Sequence, residues 1–288
     1  MLSRRGFLVG GAALTGVAAA GVAVAGAHHG PVSEPPPAAT PGPTHRGSFV
    51  SRYRPGVDTH WVVLRPPGAP VDLPVVVALH GLHQDAETVV GRSLYVDRYL
   101  AAAVADGVPA FAVAAVDGGT SYWHPRPDGE DTGAMVVDEL LPLLGEQGLD
   151  VSRIGLLGWS MGGYGALRLA GVLGPDRVGA VVASSPALWQ HGGDASSSGF
   201  ADAAEYDEYS VVGRQDDLAG IPVRVDVGTG DPFYRAVQDY VDGLEKVRSP
   251  DDAHVVSTFR PGAHDPAYWR RMLPAQLRFL GRGVGSVA

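Results

Sequence analysis

Ile154-Gly155-Leu156-Leu157-Gly158-Trp159-Ser160-Met161-Gly162-Gly163-Tyr164-Gly165-Ala166-Leu167 is the stretch on which the reading of the chain turns. Its first four residues are an apolar run of strand length, and the residues after Ser160 are small and of helix character. Between them Gly158–Gly162 has the form G-x-S-x-G. A strand that turns into a helix at a serine is a nucleophile elbow: the turn is strained, the hydroxyl is pushed into solvent, and the helix N-terminus points at it. Gly158 and Gly162 are needed because the two backbones pass too closely for a Cβ. In a chain with 40 glycines the five-residue motif alone is weak. The strand before it and the helix after it lift it above an ordinary Gly-rich turn.

Similar apolar runs lie on either side. Val75–Leu79, Phe111–Val116, Ile154–Leu157, Ala180–Ser184, Val223–Val227 and His254–Phe259 read as strands, preceded by Ser48–Tyr53 and His60–Leu64 around a turn at Arg54–Asp58. Helical stretches alternate with them at Ser93–Ala105, Gly133–Gly145, Gly162–Leu173, Tyr234–Arg248 and Asp265–Leu280. Strands apolar on both faces belong in a mostly parallel sheet with helices on both sides, so the expected class is α/β. Residues 186–221 break the rhythm. A segment of that length without a strand is either a lid or a plain surface excursion with one short helix.

The 288 residues, 45% hydrophobic and 18% charged, suit a globular domain with a sizeable core. There is no cysteine, which excludes disulfides, thiolate-ligated zinc and a thiolate nucleophile. Lys246 is the only lysine, so no Ser-x-x-Lys site exists. The net charge of −9, with no basic cluster, argues against nucleic acid as a partner.

Residues 1–27 read as a twin-arginine signal peptide. Ser3-Arg4-Arg5-Gly6-Phe7-Leu8 precedes an uncharged Gly/Ala/Val run, and Ala25-Gly26-Ala27 offers a cleavage site. A retained membrane anchor is the alternative, and the only membrane contact expected is through this segment if it is uncleaved. Residues 28–46 are Pro-rich and read as a linker, which leaves 47–288 as the folded domain. The expected location is outside the cell or in its envelope.

A serine hydroxyl needs a base, and the base needs an acid to orient it. Asp231 lies in the loop leaving the strand Val223–Val227, where the acid belongs; Asp226 is the competitor, within the strand and pointing into a helix layer. Of ten histidines, His264 stands just beyond the last strand and before the last helix, where an imidazole can reach back to Ser160. The oxyanion needs two converging amides. Met161 follows the nucleophile, and Leu82 follows the turn at His80-Gly81. His80 and His83 form an H-x-x-H pair, but no acidic third ligand stands at a helical spacing, so no metal is expected. Tyr122 and Trp123, after the strand ending in Asp117-Gly118-Gly119, are candidate substrate contacts at the pocket mouth, with local packing as the bland alternative.

These residues carry a resemblance. Leu79-His80-Gly81-Leu82, Gly158–Leu167 and Gly262-Ala263-His264-Asp265 with Tyr268-Trp269-Arg270 resemble the esterase D-type branch of the α/β-hydrolases. That branch includes S-formylglutathione hydrolases, feruloyl-type esterases and the antigen 85 mycolyltransferases. The resemblance implies an α/β-hydrolase fold without a cofactor. It implies Ser160 as nucleophile, His264 as base, Asp231 as acid, and Leu82 and Met161 as oxyanion donors. The histidine before Gly81 and the segment 111–131 depart from the family pattern. The expected activity is that of a serine esterase on a small-molecule or cell-envelope ester. Acyl transfer to a sugar or envelope hydroxyl and a non-catalytic binding role are the alternatives.

Overall fold

Strands with no polar face must bury both, and the computed structural model, which describes residues 35–91, 93–248 and 252–285, shows how. Eight strands form one sheet: β1 (Thr44–Val50), β2 (Asp58–Leu64), β3 (Pro74–Leu79), β4 (Ala112–Val116), β5 (Asp150–Trp159), β6 (Val178–Ser184), β7 (Val223–Gly228) and β8 (Val255–Arg260). Their order is β1-β2-β4-β3-β5-β6-β7-β8. β2 pairs antiparallel with both β1 and β4, and every other pairing is parallel.

Alternation along β3 and β4 divides the core. Val75, Val77, Leu79, Ala112, Ala114 and Val116 face one layer, while Val76, Ala78, Val113 and Ala115 face the other. The first layer contains α2 (Thr132–Met135), α3 (Leu141–Glu146), α4 (Met161–Leu173) and α6 (Tyr234–Val247). The second is made by α1 (Val96–Ala105) and α7 (Pro266–Gly285). This is the expected α/β-hydrolase architecture.

Two boundaries differ from the sequence reading. The fold begins before Gly47: β1 starts at Thr44 and Arg65 N–H bonds Pro43 O at 3.0 Å, so the end of the expected 28–46 linker is a strand. Thr44–Val50 pairs along all of β2, and a neighbouring strand can recruit a segment that no local pattern marks. The helix expected over Gly133–Gly145 is interrupted by a π-turn at Val136–Leu140, ahead of Pro142. A proline lacks the N–H for the regular i→i−4 bond, and a wider turn accommodates it. Residues 186–221 carry the short helix α5 (Ala203–Tyr209) and two 3₁₀ turns.

The signal segment expected over residues 1–27 lies outside the described residues. No helix among the described residues is long and apolar enough to cross a membrane.

Candidate active site

The parallel strands all end at one edge, and the loops leaving β3, β5, β7 and β8 bring the candidate residues there. Ser160 sits at the junction of β5 and α4 with φ 56° and ψ −123°, a conformation an L-residue adopts only when its surroundings impose it. The surroundings are backbone. A Cβ on Gly158 would lie 1.9 Å from Gly162 O, and one on Gly162 would lie 1.9 Å from Leu79 O. The glycines of the motif therefore permit the close crossing of β5, α4 and β3 that turns the serine outward.

His264 reaches back from the loop after β8. Its Nε2 is 2.8 Å from Ser160 Oγ and its Nδ1 is 2.8 Å from Asp231 Oδ2. A carboxylate only accepts, so Nδ1 carries the proton and Nε2 is free to accept from the serine hydroxyl. The Asp231 carboxylate is shielded from solvent and its other oxygen accepts the Phe233 N–H at 2.9 Å. Phe233 and Trp269 contact the imidazole ring edge-on, with centroids 5.3 and 5.2 Å away. Asp226, the competing acid, is remote from this chain of contacts. It is fully buried and engaged by Arg224 at 2.7 and 2.9 Å and by Gln276 of α7 at 2.8 Å.

Leu82 and Met161, the expected oxyanion donors, belong to the two segments that flank Ser160. Met161 is the first residue of α4, whose leading N–H groups have no intrahelical acceptor. The loop carrying Leu82 lies against the serine: a Cβ on Gly81 would be 3.4 Å from Ser160 Cβ. Two side chains hold this loop. His80, 1% exposed, accepts the Gly118 N–H on Nε2 at 2.8 Å, which leaves the proton on Nδ1 to donate to Gly81 O at 2.8 Å. Burial lowers the pKa of this imidazole, keeping it neutral in the tautomer both bonds require. Gln84 Oε1 accepts from Gly81 N at 3.0 Å and from the Trp159 indole N–H at 2.5 Å. The two peptide groups flanking Gly81 are thus each held, the first at the Gly81 N–H and the second at the Gly81 carbonyl. Because a trans peptide points N–H opposite to C=O, holding the Gly81 carbonyl also aims the Leu82 N–H.

Trp123 is not a ligand contact. It is 0% exposed, packs its edge on His80 at 5.2 Å, and fills the space above Gly118 and Gly165, where added Cβ atoms would meet its ring at 2.2 and 2.5 Å. Tyr122 is 3% exposed among Tyr164, Trp189 and Phe200. Both residues have positive φ, 57° and 59°; two successive left-handed residues turn the chain inward, so the rings go beneath the loop instead of over its rim. The substrate-contact expectation for Trp123 is corrected to packing. For Tyr122 the exposed remnant is slight.

The sequence reading missed four residues of the site. Gln84 and His80 hold the Leu82 loop, Asp117 Oδ1 anchors it again through Ala86 N at 2.7 Å, and Trp189 packs on Phe233 at 5.4 Å, beside the imidazole. His80 and Asp117 stood in quoted stretches, at the turn before Leu82 and at the end of a strand, but neither was given this role. The aromatic residues of 186–221 are built into the core. His124 lies between Phe200 and Tyr209, stacked at 4.9 and 4.7 Å, with its ring nitrogens 2.8 Å from Pro125 O and Gly199 O. Burial is the main cause that lowers its pKa to about 4.

A hydroxyl hydrogen-bonded to an imidazole, itself hydrogen-bonded to a shielded carboxylate, is an arrangement suited to nucleophilic attack and proton relay. Comparisons with known proteins agree in kind. The family model described as "Putative esterase" matches residues 54–280. No curated protein matches the chain. Among solved structures the chain is similar to FphF, a fluorophosphonate-binding serine hydrolase of Staphylococcus aureus, with TM-score 0.67 and 18% identity over 84% of this chain and 99% of that one. An S-formylglutathione hydrolase from Agrobacterium tumefaciens gives TM-score 0.67 and 20% identity over 84% and 95%. MPT51 of Mycobacterium tuberculosis gives 0.66 and 18% over 84% and 99%. At such identities the structural likeness speaks for the fold.

Proposed function

Since the chain belongs to the esterase family, whose model spans most of its length, and is a hydrolase acting on esters, we propose that it works as an exported serine carboxylesterase through an acyl-enzyme on Ser160. The observation that carries this reading is the continuous relay Ser160–His264–Asp231, with both links at 2.8 Å. In the proposed reaction Ser160 Oγ attacks the ester carbonyl carbon while its proton passes to His264 Nε2. The carbonyl π electrons move onto oxygen, and the Leu82 and Met161 amides hold the resulting oxyanion. Collapse expels the alcohol, which takes the proton from Nε2. Water then repeats the sequence on the acyl-enzyme and releases the acid. Asp231 keeps the imidazole in the Nδ1–H tautomer and stabilises it when charged. No cofactor enters.

The substrate proposed is a small-molecule or cell-envelope ester, with no nucleic acid involved. Export rests on the twin-arginine signature and the Ala25-Gly26-Ala27 site; N-terminal sequencing of protein recovered outside the cell tests it. Ser160→Ala is expected to abolish p-nitrophenyl ester turnover, and retention of more than a few per cent rejects the mechanism. Labelling of the wild type by a fluorophosphonate separates an enzyme from a non-catalytic binding protein. Acyl transfer is the second reading: the same relay serves both, and the partly buried Ser160 is open to an acceptor hydroxyl as it is to water. Product analysis with a glycosidic acceptor decides between the two.

A further inference from the structure

The opposite edge of the sheet carries a groove of about 630 Å³, between the C-terminal half of α7 and the N-terminal ends of β7 and β8. It exists because β8 is the last strand and α7 packs over β5 and β6 instead, leaving Val256 of β8 half-buried at the groove wall. On α7, Arg278, Phe279 and Arg282 line it from one helical stripe. Arg153, Arg224 and His254 complete its basic character, and none of its lining residues is acidic.

That composition is unexpected in a chain with 31 acidic and 22 basic residues. Arg224 is neutralised by the buried Asp226. Arg153 is not: its guanidinium contacts the backbone oxygens of Pro175 and Gly283 at 3.4 and 3.5 Å, which orient a cation without cancelling its charge. Arg278 is exposed and has no ion-pair partner among the described residues. Positive charge thus lies beside an apolar wall of Val256 and Phe279, in a concavity large enough for a small ligand.

We propose that this groove binds an amphiphile with an oxyanion head and a single apolar tail, the head held by Arg153 and Arg278 and the tail lying against Phe279 and Val256. The site is separate from the esterase centre. Arg224 and the Asp231 loop lie at opposite ends of β7, a strand spanning roughly 20 Å at about 3.3 Å per residue.

The test is calorimetric titration of the Ser160→Ala variant, with decyl phosphate kept below its micelle concentration and inorganic phosphate and decyl maltoside as separate arms. Saturable binding of one decyl phosphate is expected, at least tenfold tighter than either control, weakened by salt, and weakened at least tenfold by Arg278→Glu. Unchanged thermal melting of Arg278→Glu verifies that this exposed substitution leaves the fold intact, and Phe279→Ala tests the tail independently with a several-fold loss. Equal affinity for inorganic phosphate or for decyl maltoside, no binding at all, or a folded Arg278→Glu that binds like its parent would each overturn the proposal.

Discussion

Replacing Gln84 with leucine removes a side-chain oxygen on which two donors converge. Gly81 N–H and the Trp159 indole N–H both point at Gln84 Oε1, and Trp159 is 2% exposed. A buried donor left without a partner costs about 1–3 kcal/mol. Two such donors give about 2–6 kcal/mol, and entry of water at the half-buried loop brings the expectation toward about 2–3 kcal/mol of stability. The catalytic effect has a separate ceiling. With the Gly81 N–H released, the peptide that precedes the one presenting Leu82 loses its anchor and Gly81 can rotate, and losing an oxyanion donor outright costs about 2.7–4 kcal/mol of barrier, or 10²–10³ in rate. Misalignment short of loss predicts a fall of roughly ten- to a hundredfold in kcat with KM little changed, because the oxyanion exists only in the transition state. The assay is kcat and KM on p-nitrophenyl acetate beside a urea melt, with affinity for a trifluoromethyl ketone, whose hemiketal oxyanion mimics the intermediate, as the discriminating readout. Gln84→Glu retains an acceptor and is expected to recover much of the rate. A Gln84→Leu enzyme with a lowered urea midpoint but unchanged kcat and ketone affinity would refute the reasoning and leave the contact a purely structural one.

Asp231→Asn is expected to lower kcat by about 10³–10⁴ by permitting the wrong imidazole tautomer. Asp226→Asn, which breaks a buried ion pair, is expected to cost about 3–5 kcal/mol of stability while the folded fraction keeps its kcat; the reverse pattern would exchange the two acids. His124 is held at about 4 in the fold against an ordinary 6.5, so the unfolded chain takes up a proton that the native state refuses. Its contribution is complete above pH 6.5 and lost as pH falls to about 4, a total of about 3 kcal/mol. Chemical denaturation across that range should show a shallower acid loss for His124→Phe than for the wild type, and parallel curves would contradict the assignment. Gly158→Ala places a Cβ 1.9 Å from a backbone oxygen, which no side-chain motion relieves. Failure to fold, or a loss above about 3 kcal/mol, is expected by circular dichroism, and a wild-type melt would count against the close crossing.

The elbow was legible because its signals are local: an apolar run, a serine between glycines and a small-residue helix act on neighbouring backbone atoms. Asp231 was legible for a related reason. A loop after a parallel strand emerges at the same edge as the others, so chain order stands in for distance. Trp123 was misread because its φ of 59°, imposed by what packs around it, reverses the direction its neighbours suggest. Gln84 carried no signal, since its partners Gly81 and Trp159 belong to two different strand–loop junctions. His80 was legible as part of the turn before Leu82 but not as its clamp, because its second partner, the Gly118 N–H, comes from a different strand end.

By itself, then, the order of residues determined the α/β class, the strained serine, and which acid and histidine could accompany it, because backbone geometry and strand direction follow from short-range pattern. The tertiary structure alone decided how the Leu82 loop is clamped, which aromatic rings are wall and which are core, and that arginines distant in sequence share one groove. Those outcomes depend on side chains meeting across separate elements, where a shift of one register or one rotamer changes the partner without changing the pattern.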